Sequence, residues 1–436
     1  MNIILLSGGS GKRLWPLSND IRSKQFIKIF RTEDGGYESM LQRMYRMLRE
    51  VDPSAEITVA TSKAQISTIH SQIGDSVGIS MEPARRDTFP AIALAALYLR
   101  DIRKVPEDEP VVVCPVDPYV DLTYFRAFPE LVRIIEDGGA NLALMGMEPT
   151  YPSSKYGYIL PETRDRVSRV LSFREKPDEE TAAGYIARGA LWNGGVFGFR
   201  ISYVAGIAGE LLGTPDYDTL FARYSDVRRI SFDYAVAEQE KSIKVLRFSG
   251  TWKDLGTWNT LTEAMTENIG EAVMNEHCEN VHVINELNVP VLCMGLKDVV
   301  VAASPEGILV SDKGESSYIK PFVDAMDTRV MFAEKSWGSF RIIDIQEDSL
   351  TILVTLNPGH GMNYHSHVYR DEVWTVVSGT GRVILDGEES GVAAGDVVRM
   401  PAGVKHTVIA DTALRIVEVQ IGREISVTDK VKYPMP

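Results

Sequence analysis

The chain begins with an apolar run, Asn2 to Leu6, that glycines cut off. An unbroken apolar run of this length predicts a strand buried on both faces. Residues 56–61 (EITVAT), 111–116 (VVVCPV) and 141–146 (NLALMG) repeat the pattern, and segments with helical spacing lie between them, notably 90–100 (PAIALAALYLR). Strands alternating with helices predict a mainly parallel, three-layer α/β domain of Rossmann-like type to about residue 265. The texture then changes. Between 280 and 320 short β-rich runs (VHVIN, VPVLCMG, DVVVAAS, GILVS) are broken by Gly, Pro and Asp. They predict a small β-solenoid or sandwich, or else an irregular β-extension of the first domain. From about Trp337 short strands recur with Gly turns and no helical pattern (FRIIDI, SLTILVTL, VWTVVSG, RVILDG, VVRMP, HTVIA, RIVEV), which predicts a compact β-barrel. The expected domains are 1–265, 266–330 and 335–436.

Composition adds limits. With 436 residues, an allowance of about 150 per domain gives about three. The net charge of −14 argues against non-specific binding to nucleic acid or anionic membranes. Cys114, Cys278 and Cys293 are scattered, without metal spacing and too few for a disulfide framework. The first residues lack the basic start of a signal peptide, and no stretch approaches the ~20 apolar residues of a membrane span. A reducing cytoplasm is the expected compartment.

The segment from Leu6 through Ser7-Gly8-Gly9-Ser10-Gly11-Lys12-Arg13-Leu14 follows the first strand directly. Its glycines let the backbone approach a ligand, and consecutive N–H groups can form an anion-binding nest. Arg13 offers a bidentate phosphate donor and Lys24 a point charge. A P-loop requires Ser or Thr where Arg13 stands, and a dinucleotide fingerprint requires Gly where Leu14 stands. Asp117 lies at the C-terminal end of a buried strand, where open α/β sheets bind ligands. A lone Asp there is otherwise commonly a turn residue.

The longer string, Ser7 to Ser18 followed by Lys24-Gln25-Phe26, resembles the signature of the mannose-1-phosphate guanylyltransferase family of nucleotidyltransferases. Ser23 replaces the family's usual Pro. Further motifs follow in family order: Glu82-Pro83-Ala84-Arg85-Arg86-Asp87-Thr88-Phe89, Val116-Asp117-Pro118, Glu148-Pro149-Thr150, Tyr156-Gly157-Tyr158-Ile159, Phe173-Arg174-Glu175-Lys176-Pro177, Trp192-Asn193-Gly194-Gly195, Asp233-Tyr234-Ala235 and Trp252-Lys253-Asp254. Arg85, Asp87 and Phe89 stand where the family has Gly, Asn and Ala. The resemblance covers about residues 1–330. It implies transfer of GMP from GTP to mannose 1-phosphate, giving GDP-mannose and pyrophosphate, with Mg²⁺ on Asp117 and Asp254. It also implies that Arg13 and Lys24 hold the leaving phosphates. Leu6, Gly8, Gly9, Gly11, Glu82, Arg86 and Thr88 would contact the nucleotide, and Gly157, Tyr158, Glu175, Lys176 and Asn193 the sugar phosphate.

In the last segment, Gly359, His365, His367, Glu372 and Gly379, then Gly395, Pro401, Gly403 and His406, have the spacing of the two cupin motifs, with Ala410 in place of the usual Asn. His365 and His367 are two apart, so on a strand they share a face. With Glu372 and His406 they make a three-nitrogen, one-oxygen set that suits Zn, Mn, Co, Ni or Fe. The segment is similar to the type II phosphomannose isomerase domain. Yet His365 replaces that family's Gln, and Tyr369 and Val373 replace histidines. In isomerisation of mannose 6-phosphate and fructose 6-phosphate, Arg370 would bind the substrate phosphate and Lys405 assist, the alternative for either being a plain surface charge. The departures leave open another base or sugar, with a non-catalytic cupin that senses a ligand or holds a homo-oligomer together.

Overall fold

Apolar runs separated by helices build one nine-stranded sheet. Its strands are β1 (Asn2–Leu6), β2 (Glu56–Ser62), β3 (Gly78–Glu82), β4 (Pro110–Pro115), β5 (Leu142–Met147), β6 (Tyr158–Pro161), β7 (Val167–Arg174), β8 (Leu191–Arg200) and β9 (Ile243–Phe248). The computed structural model describes residues 1–436 except Ser10, Gly11, Asp20, Asp327, Thr328 and Val427. The order across the sheet is β3-β2-β1-β4-β8-β5-β9-β7-β6, and β6 also pairs with β8. Ile3, Ile4 and Leu5 of β1 are fully buried, as a central strand with both faces covered requires.

The sheet is mixed rather than mainly parallel. The pairs β1–β2, β1–β4, β2–β3 and β5–β9 are parallel, whereas β8 runs antiparallel to both β4 and β5. Strands β3, β6, β7, β8 and β9 are not among the runs the pattern announces; in β8 Gly194-Gly195 interrupts the apolar run, and the register shifts there, between Asn193 and Phe197. The helix Thr88–Leu97 is buried from Phe89 onward and begins at Asp87, whose carboxylate accepts the Thr88 N–H.

These elements belong to one compact unit, residues 1–10, 25–66 and 73–256; residues 11–24, 67–72 and 257–436 form a second. In the second unit, Ala272–Met274 pairs in parallel with Val291–Cys293, and His282–Asn285 with Val299–Ser304, around Val281, Val283, Cys293 and Val301. Beyond it, a six-stranded sheet and a five-stranded sheet enclose a core that includes Leu356, Trp374, Val376, Val408 and Ile416. Each run expected from the alternation forms a strand here. Glu388–Ala393 was hidden because its residues are almost all polar or small and exposed. Among the described residues no helix is long and apolar enough to cross a membrane.

Candidate functional site

In the first unit, the loop after β1 is pinned from within. The Ser7 N–H donates to Ala60 O at 2.9 Å, and the buried Gln25 amide donates to Ser7 O and Ser7 Oγ at 3.1 Å each. Gly8 and Gly9 then lie exposed, and Gly9 has φ +119, which disfavours any side chain. Gly11 lies outside the described residues.

Asp117 directly follows Val116 at the end of β4, just before the short strand Pro118–Val120. That strand pairs antiparallel with Trp252–Asp254, in the register Asp254↔Pro118. The two acids therefore occupy adjacent register positions although they lie far apart along the chain. The same ribbon carries Trp252, whose ring lies 5.5 Å from that of Tyr156, which in turn lies 4.8 Å from Trp192. Trp252 Nε1 is buried with no hydrogen-bond partner.

Around Gly157 a polar pocket is assembled from four segments. The Glu175 side chain is buried, with Oε1 2.5 Å from Lys176 Nζ and Oε2 unpartnered. A Cβ on Gly157 would lie 2.5 Å from that free oxygen, so only glycine leaves it room. The Asn193 N–H donates to Gly157 O at 2.8 Å, and Asn193 Nδ2 donates to Asp233 Oδ1 at 2.6 Å. Burial, with the charge of Glu175 adding to it, pushes Asp233 up to about 6. Burial opposes the charge on Lys176, but Glu175 outweighs it and raises the ammonium pKa. Asp233 is the residue whose role the motifs did not supply.

Other expected residues are placed as follows. Leu6 ends β1, half-buried. Glu82 ends β3, and its Oε2 accepts the hydroxyl of the fully buried Tyr224 at 2.8 Å. Burial raises the Glu82 pKa despite that bond. Arg86 donates to Ser225 O, and its Nε is buried and unpartnered. Thr88 Oγ1 accepts the Phe232 N–H at 2.8 Å. Tyr158 is corrected as a side-chain ligand. Its hydroxyl donates to Ser153 O at 3.1 Å and accepts from Ser153 N at 2.9 Å and Trp192 Nε1 at 3.0 Å, which exhausts it. The two departures closest to the helix are also explained. Asp87 is the helix cap, and Phe89 fills the core beside Phe232, so neither lies free for a base.

The second unit holds Arg13, exposed, and Lys24, half-buried. It also brings His365, His367, Glu372 and His406 together, all buried, with ligating atoms within 4.8 Å of one another. Their protonation is set by their outer contacts. His365 Nδ1 donates to Asn363 O at 2.6 Å, His406 Nδ1 to Val404 O at 2.9 Å, and His367 Nδ1 to Asp429 O. A carbonyl can only accept, so each Nδ1 carries the proton. Arg370 Nη2 donates to His367 Nε2 at 3.2 Å, and an arginine has only donors, so that Nε2 is a bare lone pair. It lies 2.9 Å from Glu372 Oε1. His406 Nε2 lies 3.2 Å from Glu372 Oε2 and makes no hydrogen bond. Burial, foremost, pushes His365 down to about 3, so it is neutral. Lone pairs converging on a carboxylate in a dry interior call for a cation, and this donor set fits a divalent transition metal.

Arg370 is corrected as a substrate contact. It is buried, and it donates to Glu372 Oε1 at 3.2 Å and to Ser426 O at 2.8 Å as well as to His367. Lys405 is exposed and lies over the Tyr433 ring at 4.5 Å.

Comparison with known proteins gives two family matches: nucleotidyl transferase over residues 2–270 and cupin domain over residues 352–420. A relative from Vibrio cholerae serotype O1, provisionally named a mannose-1-phosphate guanylyltransferase, is 30% identical across 99% of this chain and 98% of its own length. The mannose-1-phosphate guanylyltransferase of Escherichia coli K12 is 29% identical across 99% of this chain and 97% of its own. A solved structure from Thermus thermophilus, described as a mannose-1-phosphate geranyltransferase, matches with 27% identity and a TM-score of 0.62. It covers 74% of this chain and 98% of its own.

Proposed function

The chain belongs to the nucleotidyl transferase family, with a cupin domain behind it, and from that premise we propose that it transfers GMP from GTP to mannose 1-phosphate. A phosphate oxygen of the sugar attacks the α-phosphorus of GTP. The new O–P bond forms as the bond to the β-phosphate oxygen breaks, so GDP-mannose and pyrophosphate leave. Little covalent help is needed; positioning and charge neutralisation dominate. The ribbon register that sets Asp254 opposite Pro118, one residue from Asp117, carries this reading.

Asp117 and Asp254 supply the hard oxygen ligands that suit Mg²⁺. When bound, Mg²⁺ neutralises phosphate charge. In the first unit the backbone N–H groups of Gly8 and Gly9 take the triphosphate, and Glu82, Arg86 and Thr88 the rest of the nucleotide; the family resemblance assigns Arg13 and Lys24 to the leaving phosphates. Glu175 Oε2 accepts a sugar hydroxyl, Asn193 orients it, and Lys176 faces the sugar phosphate. The test is pyrophosphate release from a panel of triphosphates and sugar 1-phosphates with Mg²⁺. Asp117→Asn and Asp254→Asn should each lose about 10²–10³ in kcat with the fold intact. Full turnover in either variant, or turnover only with a different base or sugar, rejects the assignment.

In the cupin, we propose one divalent transition metal on His365, His367, Glu372 and His406. A second activity follows if that ion polarises a sugar phosphate: isomerisation of mannose 6-phosphate and fructose 6-phosphate, which moves a proton between adjacent carbons. Turnover of fructose 6-phosphate by the full chain loaded with Zn, Mn, Co, Ni or Fe decides this. No turnover with any of them leaves the cupin as a binding module.

A further inference from the structure

The described residues of 12–24 are held within the second unit by a set of hydrogen bonds from its side chains. The Trp15 carbonyl accepts Trp258 Nε1 at 3.1 Å, and the Pro16 carbonyl accepts Ser304 Oγ at 2.6 Å. Gly307, at φ +151, has no room for a side chain, since a Cβ would lie 2.6 Å from the Trp15 ring. Arg22 is buried and forms a two-pronged pair with Glu286, 2.8 Å on each side. Asn19 Oδ1 accepts Ile21 N at 2.9 Å and Arg22 N at 2.7 Å. Its Nδ2 points outward to Glu306 Oε1 at 2.6 Å and Phe332 O at 3.0 Å. The same Glu306 oxygen also accepts the Met331 and Phe332 N–H groups at 3.2 Å each.

Glu306 is thus the node where the loop, the turn before Gly307–Asp312 and the strand that opens the six-stranded sheet meet. Within the loop Leu14, Trp15, Leu17 and Ser18 are buried, whereas Arg13 is exposed. A projecting cation on an immobilised base has its ordering cost paid in advance, which is what a phosphate grip requires. We propose that Glu306 is a positioning residue for guanylyl transfer, clamping Asn19 and thereby the loop that presents Arg13 and Lys24. The inference rests on the proposed role of that loop in holding the triphosphate.

The test uses the full chain, with steady-state KM and kcat for GTP and for mannose 1-phosphate and a melting temperature for each variant. Glu306→Ala is expected to raise the GTP KM about tenfold while the mannose 1-phosphate KM stays within about twofold. Glu306→Gln keeps an acceptor oxygen of the same reach and should recover most of the loss. Asn19→Ala should match Glu306→Ala, and the double variant should be little worse than either. A lowered melting temperature with both KM values unchanged would mean a merely structural role and overturns the proposal. If Glu306→Ala does not fold, an unchanged GTP KM in Asn19→Ala overturns it instead. Failure of the wild type to release pyrophosphate from GTP and mannose 1-phosphate rejects the underlying function. Wild-type turnover with indifferent variants rejects the clamp alone.

Discussion

Asn193 Nδ2 donates to Asp233 Oδ1 at 2.6 Å, and desolvation lifts the pKa of this half-buried acid to about 6. The lift has a sign for stability. An acid raised in the folded state costs nothing below its unfolded value near 3.8, and the cost grows as pH climbs towards 6 and is complete above it. At about 1.4 kcal/mol per pKa unit the penalty is on the order of 3 kcal/mol at most. Asp233→Asn keeps an oxygen for Asn193 and removes the charge. It should therefore raise the melting temperature at pH 8 by several degrees and much less at pH 4. Equal gains at both pH values would show that Asp233 is not raised.

What was legible in the sequence is what local pattern and fixed spacing can encode. The central strands announce themselves because burial on both faces demands unbroken apolar runs, as in Ile3-Ile4-Leu5. The cupin quartet is legible because His365 and His367 stand two apart and the other two ligands follow at fixed offsets. Strand β8 is not, because Gly194-Gly195 breaks its pattern. Nor are the pairs that hold the pockets: Asn193 and Asp233 lie 40 residues apart, and Glu82 and Tyr224 lie 142 apart. No periodicity carries such a pairing. Tyr158 and Arg370 show the converse failure. Their motifs advertise polar groups, but only the fold reveals that those groups are already committed to Trp192, Ser153, His367 and Glu372.

Tyr224 should act on the nucleotide through Glu82. Its hydroxyl is the hydrogen-bond donor that favours the ionised form of a carboxylate that burial disfavours. Hydrogen bonds to charged groups are worth about 1.5–3 kcal/mol. Tyr224→Phe should weaken GTP by about tenfold in KM, leave mannose 1-phosphate unaffected, and reduce the preference for GTP over ATP. A uniform change for both triphosphates would place Glu82 outside base recognition.

Gly157→Ala tests the sugar pocket without removing a polar group. The added methyl would sit 2.5 Å from Glu175 Oε2, 3.2 Å from Phe173 and 3.3 Å from Asn193, so the carboxylate end must swing away. A flexible side chain can yield, so the stability loss should stay near 1–2 kcal/mol, as for other overpacked sites. The mannose 1-phosphate KM should rise at least about tenfold, with the GTP KM unchanged. An unaltered sugar KM would remove Glu175 from the pocket.

His367→Ala separates the metal from the transfer chemistry. The wild-type full chain should bind one transition-metal ion, read by elemental analysis after dialysis, and be stabilised thermally by it. Removing His367 deletes the ligand that lies 2.9 Å from Glu372 and leaves Arg370 Nη2 without its acceptor. Stoichiometry should fall from one ion to near zero and the metal-dependent shift in melting temperature should vanish. Guanylyl transfer with Mg²⁺ should persist within about twofold, because that chemistry is assigned to Asp117 and Asp254. Arg370→Met in the same background should recover stability, since it removes the buried guanidinium that His367→Ala leaves partly unpaired. Retention of a full equivalent of metal by His367→Ala would show that the converging lone pairs are not the binding site.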